Sequence, residues 1–185
     1  MTFGMVGLGR MGNGLVQRAM RAGLEAVVYD PAPAAVAALV AQGATGADSL
    51  SALVTALPTP RAVWVMVPAG AITEQVVTEL AGLLEPGDAI IDGGNSYYRD
   101  DIRRGELCAQ KGIDYLDVGT SGGVWGLDRG FCLMIGGPKP SVSRLTPLWN
   151  AIAPGFEAAP RTPGISGDPT PQECGWLHCG PGGAG

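Results

Sequence analysis

Histidine and lysine are scarce in this chain. His178 is the single histidine, and Lys111 and Lys139 are the only lysines among 185 residues. A base of the type that titrates near neutral pH therefore has one candidate position. Basic residues (12) are outnumbered by acidic ones (17), giving a formal net charge of −5. No basic stripe runs along the chain, which argues against nucleic-acid binding. Nowhere do about 18 apolar residues run together, so no membrane span is expected. No basic segment precedes the N-terminal apolar run, so no signal peptide is expected either. The cysteines, Cys108, Cys132, Cys174 and Cys179, follow no zinc or redox spacing, and Cys132 falls in an apolar strand pattern. Cys174, His178 and Cys179 offer three ligands where a structural zinc takes four, so no metal site is expected. Reduced thiols and a cytoplasmic location are the default.

Glycine, by contrast, is abundant at 30 residues, and hydrophobic content is 46% against 16% charged. That is the composition of a globular chain, long enough for one α/β domain with a real core. The organising stretch is at the start. Thr2 to Val6 is an apolar run that feeds into Gly7-Leu8-Gly9-Arg10-Met11-Gly12, a G-x-G-x-x-G. A helical pattern follows, with Leu15, Val16, Ala19 and Met20 on one face. In such a strand–turn–helix unit the first glycine permits the tight turn, the second lets backbone approach a pyrophosphate, and the third lets helix pack on strand. The unpaired N–H groups and positive dipole end of the helix then face phosphate. A second apolar run, Ala26 to Tyr29, ends in Asp30, where the fingerprint places an acid on the adenosine ribose hydroxyls.

The rest of the chain alternates. Helical patterns cover Pro33 to Ala41, a short stretch capped by Asp48 or Ser49, Ile72 to Leu84, about Tyr98 to Gln110, and Pro140 to Ala151. Strand patterns cover Ala62 to Val67, Ala89 to Ile91, Ile113 to Val118 and Phe131 to Ile135. This predicts an α/β, Rossmann-type, doubly wound and mostly parallel sheet. Ligands of such sheets bind beyond the carboxyl ends of the strands. Those ends carry Gly7–Gly12, Asp30, Pro68-Ala69-Gly70, Gly93-Gly94-Asn95 and Ser121-Gly122-Gly123. The cluster of Arg99, Asp100, Asp101, Arg103 and Arg104 mixes signs on one helix and is expected to be a solvated face. Residues 1–153 are expected to form the dinucleotide-binding domain. Residues 154–185 show neither period and are expected to be an irregular Gly/Pro-rich tail leading to a missing helical domain, since the glycine-rich end looks like a chain cut short.

Four segments in order, Gly7-Leu8-Gly9-Arg10-Met11-Gly12, Asp92-Gly93-Gly94-Asn95-Ser96, Asp117-Val118-Gly119-Thr120-Ser121-Gly122-Gly123 and Leu177-His178-Cys179-Gly180, resemble the 6-phosphogluconate dehydrogenase family. The resemblance is to its cofactor-binding domain, in the shorter bacterial-type version, and covers essentially the whole chain. It implies oxidative decarboxylation of 6-phosphogluconate to ribulose 5-phosphate with reduction of a nicotinamide cofactor, in the pentose phosphate pathway, by a homo-oligomeric full-length enzyme. It implies cofactor contacts from Gly7, Leu8, Gly9, Arg10, Met11, Gly12, Asp30, Val67, Pro68, Ala69 and Asn95. Substrate contacts fall to Asn95, Ser121, Gly122 and Gly123. Taken by themselves, Asn95 reads as a turn residue and Ser121 as a loop hydroxyl. The family's general-base lysine matches neither Lys111 nor Lys139 and is expected beyond the last residue, so no catalytic residue is assigned. Asp30 is an anion where a 2′-phosphate would lie, and Pro31-Ala32 offer no cation, so NAD is expected over NADP.

Three alternatives remain. A β-hydroxyacid dehydrogenase of the 3-hydroxyisobutyrate type shares the G-L-G-x-M-G start and a glycine-rich substrate loop. A nucleotide-binding fragment without catalysis is the second. Gly119-Thr120-Ser121-Gly122-Gly123 is also literally G-x-S-x-G, the nucleophile elbow of hydrolases. That elbow requires a helix directly after the serine, whereas Val124-Trp125-Gly126 and then a further strand are expected to follow, and the only histidine, His178, lies in the irregular tail.

Overall fold

The computed structural model describes all residues, Met1 to Gly185. Eight strands form one sheet in the order β3-β2-β1-β4-β5-β6-β7-β8. The strands are β1 (Thr2–Val6), β2 (Glu25–Tyr29), β3 (Thr45–Gly46), β4 (Ala62–Val65), β5 (Ala89–Asp92), β6 (Asp114–Ser121), β7 (Cys132–Gly136) and β8 (Trp176–Gly180). The first six run parallel; β7 is antiparallel to β6, and β8 is parallel to β7. The order 3-2-1-4-5-6 is that of a doubly wound dinucleotide fold, whose strand order reverses between β1 and β4. The expected fold class is therefore the one observed.

Alternation in the strands fixes which side chain faces which layer. Phe3 and Met5 of β1 pack with Trp64, Ile91 and Leu116 against Leu15, Val16 and Ala19 of α1 (Arg10–Arg21), Leu39 of α2 (Pro33–Val40) and Trp149 of α8 (Thr146–Ile152). On the other face Val6, Val27, Val63, Val65 and Ile90 meet α3 (Leu50–Ala56), α4 (Ala71–Leu83) and Cys108 of α5 (Tyr98–Ala109). All four residues of β4 and all four of β5 are buried, as continuous apolar runs require when both faces are covered. Ser49 caps α3, its Oγ accepting from Ala52 N at 3.1 Å. The short helices α6 (Gly126–Arg129), α7 (Lys139–Arg144) and α9 (Pro171–Cys174) complete the set.

Several expectations change. The stretch from 154 is irregular only in part. Thr170 and Glu173 form a capping box that starts α9, Gly175 ends it at φ +96°, and β8 then adds to the sheet beside β7. Residues 176–180 thus belong to the same sheet as the N-terminal strands. The two-residue β3 had no apolar signal to reveal it. The charged cluster on α5 is not a uniformly solvated face, because Asp101 is 5% and Arg104 only 2% exposed. Cys132 lies in a strand as expected, but on its exposed face with Met134.

Candidate functional site

The carboxyl ends of β1, β2, β4, β5 and β6 lie along one edge of the sheet, so the loops that follow them converge there. At β1 the chain turns at Gly7, φ +93°, where a Cβ would overlap the Met66 carbonyl. A Cβ on Gly12 would overlap the Gly7 carbonyl oxygen, so only glycine lets α1 start this close to its strand. At Gly9, by contrast, a Cβ would meet nothing within 4 Å, so the backbone faces open space. Gly9 is the N-cap of α1 and offers no capping side chain. The first N–H groups of α1 have no acceptor within the helix. The turn therefore has the room and the donors that a pyrophosphate needs. Leu8 is buried beneath it, Met11 half-buried, and Arg10 exposed beside it.

Asp30 follows β2 and holds two loops at once. Its Oδ2 accepts from Leu8 N at 2.8 Å and its Oδ1 from Ala32 N at 2.8 Å. The carboxylate is thus locked between the glycine turn and the entry to α2. One wall of a cleft of about 450 Å³ includes Asp30, Val36, Val40 and Asp48. At β4 the loop Val67-Pro68-Ala69 leads into α4, with the buried Thr73 hydroxyl donating to Pro68 O at 3.0 Å. Val67 is half-buried; Pro68 and Ala69 are exposed.

The loop after β5 is the most heavily tethered. Asn95 is exposed, but both neighbours are fixed by Asp92. Gly94 N donates to Asp92 Oδ1 at 3.0 Å and Ser96 Oγ to Asp92 Oδ2 at 2.7 Å. Beneath them, Tyr115 Oη lies 2.8 Å from Asp92 Oδ2 and 3.0 Å from Asp101 Oδ1. Arg104 reaches Ser96 Oγ at 3.2 Å, Asp92 Oδ2 at 3.4 Å and Glu74 Oε2 at 3.0 Å. Glu74 lies in the first turn of α4, so one guanidinium joins the Asn95 loop to the helix behind Val67–Ala69. Hydrogen bonding from Arg103 holds the Glu74 carboxyl down at about 2. Burial, then the Asp92 charge, pushes Asp101 up to about 7. None of Asp92, Ser96, Asp101, Arg104 and Tyr115 was picked out by sequence as a site residue. The readable signal was the Asp-x-x-Arg spacing of Asp101 and Arg104, which puts both on one helix face.

Strand β6 runs on past its last pairing with β5 at Asp92↔Asp117. Val118 to Ser121 pair only with β7. At about 3.3 Å per residue this carries Ser121 roughly 13 Å beyond the end of β5. Ser121 and Gly123 are exposed. The loop is backed by the Phe131 ring, which a Cβ on Gly122 would overlap and a Cβ on Gly14 of α1 would also meet. Arg18 of α1 clamps the same region, its Nε donating to Ile152 O at 2.7 Å and its Nη2 to Ala153 O at 2.9 Å. The turn that begins at Gly123 thereby packs against α1, the helix that the glycine turn starts.

A helical segment does follow Ser121: a 3₁₀ turn, Gly123–Trp125, runs into α6. That corrects the expectation that no helix follows the serine; the expected further strand comes next, as β7, and the hydrolase constellation is still not assembled. His178 pairs across from Ile135, whereas Ser121 pairs with Cys132. Three residues along and two strands across separate them by roughly 14 Å. His178 Nε2 instead contacts Gly137 O at 2.9 Å. No group of three or more His, Cys, Asp or Glu side chains is arranged to hold a metal, and no helix is long and apolar enough to cross a membrane.

Strand order, glycine turn and the acid after β2 together define a Rossmann-type dinucleotide-binding domain. More narrowly, the family model described as "NAD binding domain of 6-phosphogluconate dehydrogenase" matches residues 2–159, and the chain belongs to that family. The NAD(+)-dependent, decarboxylating 6-phosphogluconate dehydrogenase of Haloferax volcanii is 43% identical over 155 residues, covering 84% of this chain and 51% of that protein. A putative 6-phosphogluconate dehydrogenase of Bacillus subtilis is 37% identical over 185 residues, covering 100% of this chain and 56% of that protein. The chain spans about half the length of these relatives. Among solved structures, Plasmodium falciparum 6-phosphogluconate dehydrogenase, known in apo form and in complexes with NADP+ and with 6-phosphogluconate, superposes with a TM-score of 0.82 at 25% identity, over 100% of this chain and 38% of that one. Mycobacterium tuberculosis 3-hydroxyisobutyrate dehydrogenase gives 0.82 and 25% as well, over 100% of this chain and 56% of that one.

Proposed function

We propose that this chain is the cofactor-binding part of a decarboxylating 6-phosphogluconate dehydrogenase and that it binds NAD in preference to NADP. The observation that carries the reading is the open backbone at Gly9 at the start of α1, next to the Asp30 carboxylate. The glycine turn, with Leu8, Arg10 and Met11, takes the pyrophosphate. Asp30 takes the adenosine ribose hydroxyls and repels a 2′-phosphate. Val67, Pro68 and Ala69 line the cofactor between its two halves.

When bound, a nicotinamide would supply the hydride acceptor for the hydroxyl-bearing carbon of the sugar acid. Asn95, with donor and acceptor on one amide, orients ring and substrate. The Ser121 hydroxyl and the N–H groups of Gly122 and Gly123 hold the substrate's carboxylate or hydroxyls. Hydride loss requires removal of the proton on the same hydroxyl, and a positioned base contributes about 10²–10⁴-fold. The converging loops contain neither lysine nor histidine. Lys111 is engaged elsewhere, its Nζ donating to Ala81 O at 2.9 Å. The chain by itself therefore binds cofactor without turning over 6-phosphogluconate, and the base comes from residues outside these 185.

Titration with NAD and NADP tests the cofactor reading; equal or tighter NADP binding overturns it. The catalytic reading is tested by NADH production from 6-phosphogluconate, comparing the chain with a form fused to the remaining half of a relative. Turnover by the chain alone at the rate of the fusion would place the base within it. A 3-hydroxyisobutyrate-type activity is the second reading, favoured by the equal TM-score of the mycobacterial structure. The same fusion assayed with 3-hydroxyisobutyrate separates the two.

A further inference from the structure

The unusual feature of the buried cluster under the Asn95 loop is its hydrogen count. Tyr115 Oη lies within hydrogen-bond distance of two carboxyl groups, Asp92 at 2.8 Å and Asp101 at 3.0 Å. A phenol carries one hydrogen and can donate to only one of them. Asp92 is otherwise well supplied, with Gly94 N, Ser96 Oγ and Arg104 Nη1 all donating to it. Asp101 has no comparable set; the Arg104 guanidinium stands 3.6 Å away. A balanced arrangement has Asp101 protonated and donating to Tyr115, Tyr115 donating to Asp92, and Asp92 holding Gly94 and Ser96.

We propose that Asp101 carries its proton below neutral pH and acts, through Tyr115 and Asp92, as a positioning residue for the Asn95 loop, which loosens when Asp101 ionises. The significance for cofactor and substrate rests on the reading of Asn95 given above. Ionisation would leave the 3.0 Å oxygen–oxygen contact without a hydrogen, or draw the Tyr115 hydrogen away from Asp92. It would also add a negative charge to a site that already faces Asp92 on β5 and Asp117 on β6. On its own helix the neighbours are Asp100, Arg103 and Arg104, and Arg104 is shared with Glu74 of α4. Glu106 and Asp114 line the adjoining cavity with Asp101, and no lysine or arginine lies in that lining. The direction of the Asp101 shift, upward through burial first and the Asp92 charge second, agrees with this count.

Nuclear magnetic resonance titration of the labelled chain tests the proposal without any cofactor. A His178→Gln background removes the histidine, a group type that titrates in the same range. The Asp101 carboxyl carbon is expected to titrate near 7, and the Gly93 and Gly94 amides and the Trp64 indole N–H, which abuts Gly93, should move with the same midpoint. In Asp101→Asn, whose amide can still donate to Tyr115, these loop signals should hold their acid-side positions from about pH 5 to 8.5. In Asp101→Ala they should be displaced at every pH. An Asp101 midpoint below about 5, or a loop titration that persists unchanged in Asp101→Asn, overturns the proposal. NAD affinity, measured alongside, should fall at least threefold from about pH 6 to 8.5 in the parent chain and stay level in Asp101→Asn. A fall that persists in Asp101→Asn counts equally against it. If NAD fails to bind at any pH, the cofactor reading fails while the titration still decides the role of Asp101.

Discussion

Replacing Asp30 by asparagine separates two jobs that the carboxylate does together. Each of its oxygens accepts one backbone N–H, Leu8 N at 2.8 Å and Ala32 N at 2.8 Å. Asparagine keeps one oxygen and presents an NH₂ in place of the other, so one backbone donor faces a second donor. The loss of one charge-assisted bond corresponds to about 1.5–3 kcal/mol. For a chain of this size that lowers Tm by roughly 3–12 °C. The glycine turn loses an anchor, so both cofactors should bind more weakly. NADP should suffer less, because its 2′-phosphate no longer meets an anion. The NAD:NADP affinity ratio is expected to fall at least tenfold, equivalent to about 1.4 kcal/mol. Thermal melts and paired cofactor titrations measure the two effects. Raising the salt gives an internal control: the Debye length shrinks from about 8 Å to about 3 Å near 1 M, so the parent chain's discrimination should shrink while its tether to Leu8 remains. Unchanged Tm with an unchanged ratio would refute both roles of Asp30 at once.

Gly12→Ala should abolish cofactor binding and lower stability by about 1–3 kcal/mol, because the added Cβ overlaps a backbone carbonyl that has no room to yield; denaturant unfolding and titration check it. In a fusion that turns over, Ser121→Ala should raise KM for the sugar acid with NAD affinity near normal, whereas Asn95→Ala should impair both. A Ser121→Ala variant changed only in NAD affinity would contradict the assignment. Glu74 titrates lower in the folded chain than its ordinary 4.5, at about 2, chiefly through Arg103. Its stabilising contribution is thus present above about 4.5 and lost as pH falls toward 2. Urea midpoints at pH 5 and pH 3 should therefore differ less in Glu74→Gln than in the parent.

The fold was legible because its signals are local and redundant. Strand, glycine turn, helix, strand and acid arrive in order between Thr2 and Asp30, and each is specified by residue type alone. The continuous apolar runs at β4 and β5 announce burial on both faces. The tail was less legible for a different reason. Its turn residues, Pro160, Pro163, Pro169 and Pro171, hide a real helix start: Thr170-Pro171-Gln172-Glu173 is a capping box with proline at N1, followed by glycine at the αL position. Strand β8 alternates poorly because one face is open. Leu177 and Cys179 are exposed there beside Met134, while Trp176 is buried with its Nε1 on Asn150 Oδ1 at 2.8 Å. Period-two reading fails on a strand whose outward side chains are apolar too.

The support for the candidate site was the least legible part, and α5 explains why. Its sequence, Tyr98 to Ala109, is rich in charge, and charge on a helix usually means water. The exception needs partners that sequence does not bring together. Arg104 can be buried because Asp92 from β5, Ser96 from the next loop and Glu74 from α4 all accept from its guanidinium. These partners lie 8 to 30 positions away, outside any helical period. Removing one partner from such a cluster typically costs about 3–5 kcal/mol, since it strands a buried charge. The partners therefore depend on one another, and they meet where two loops of the candidate site leave the sheet. A sequence lists the residues proposed to touch a ligand, as glycines, an asparagine and a serine at strand ends. The residues that hold those loops still are set by the three-dimensional neighbourhood of β5, and become visible only once that strand has neighbours.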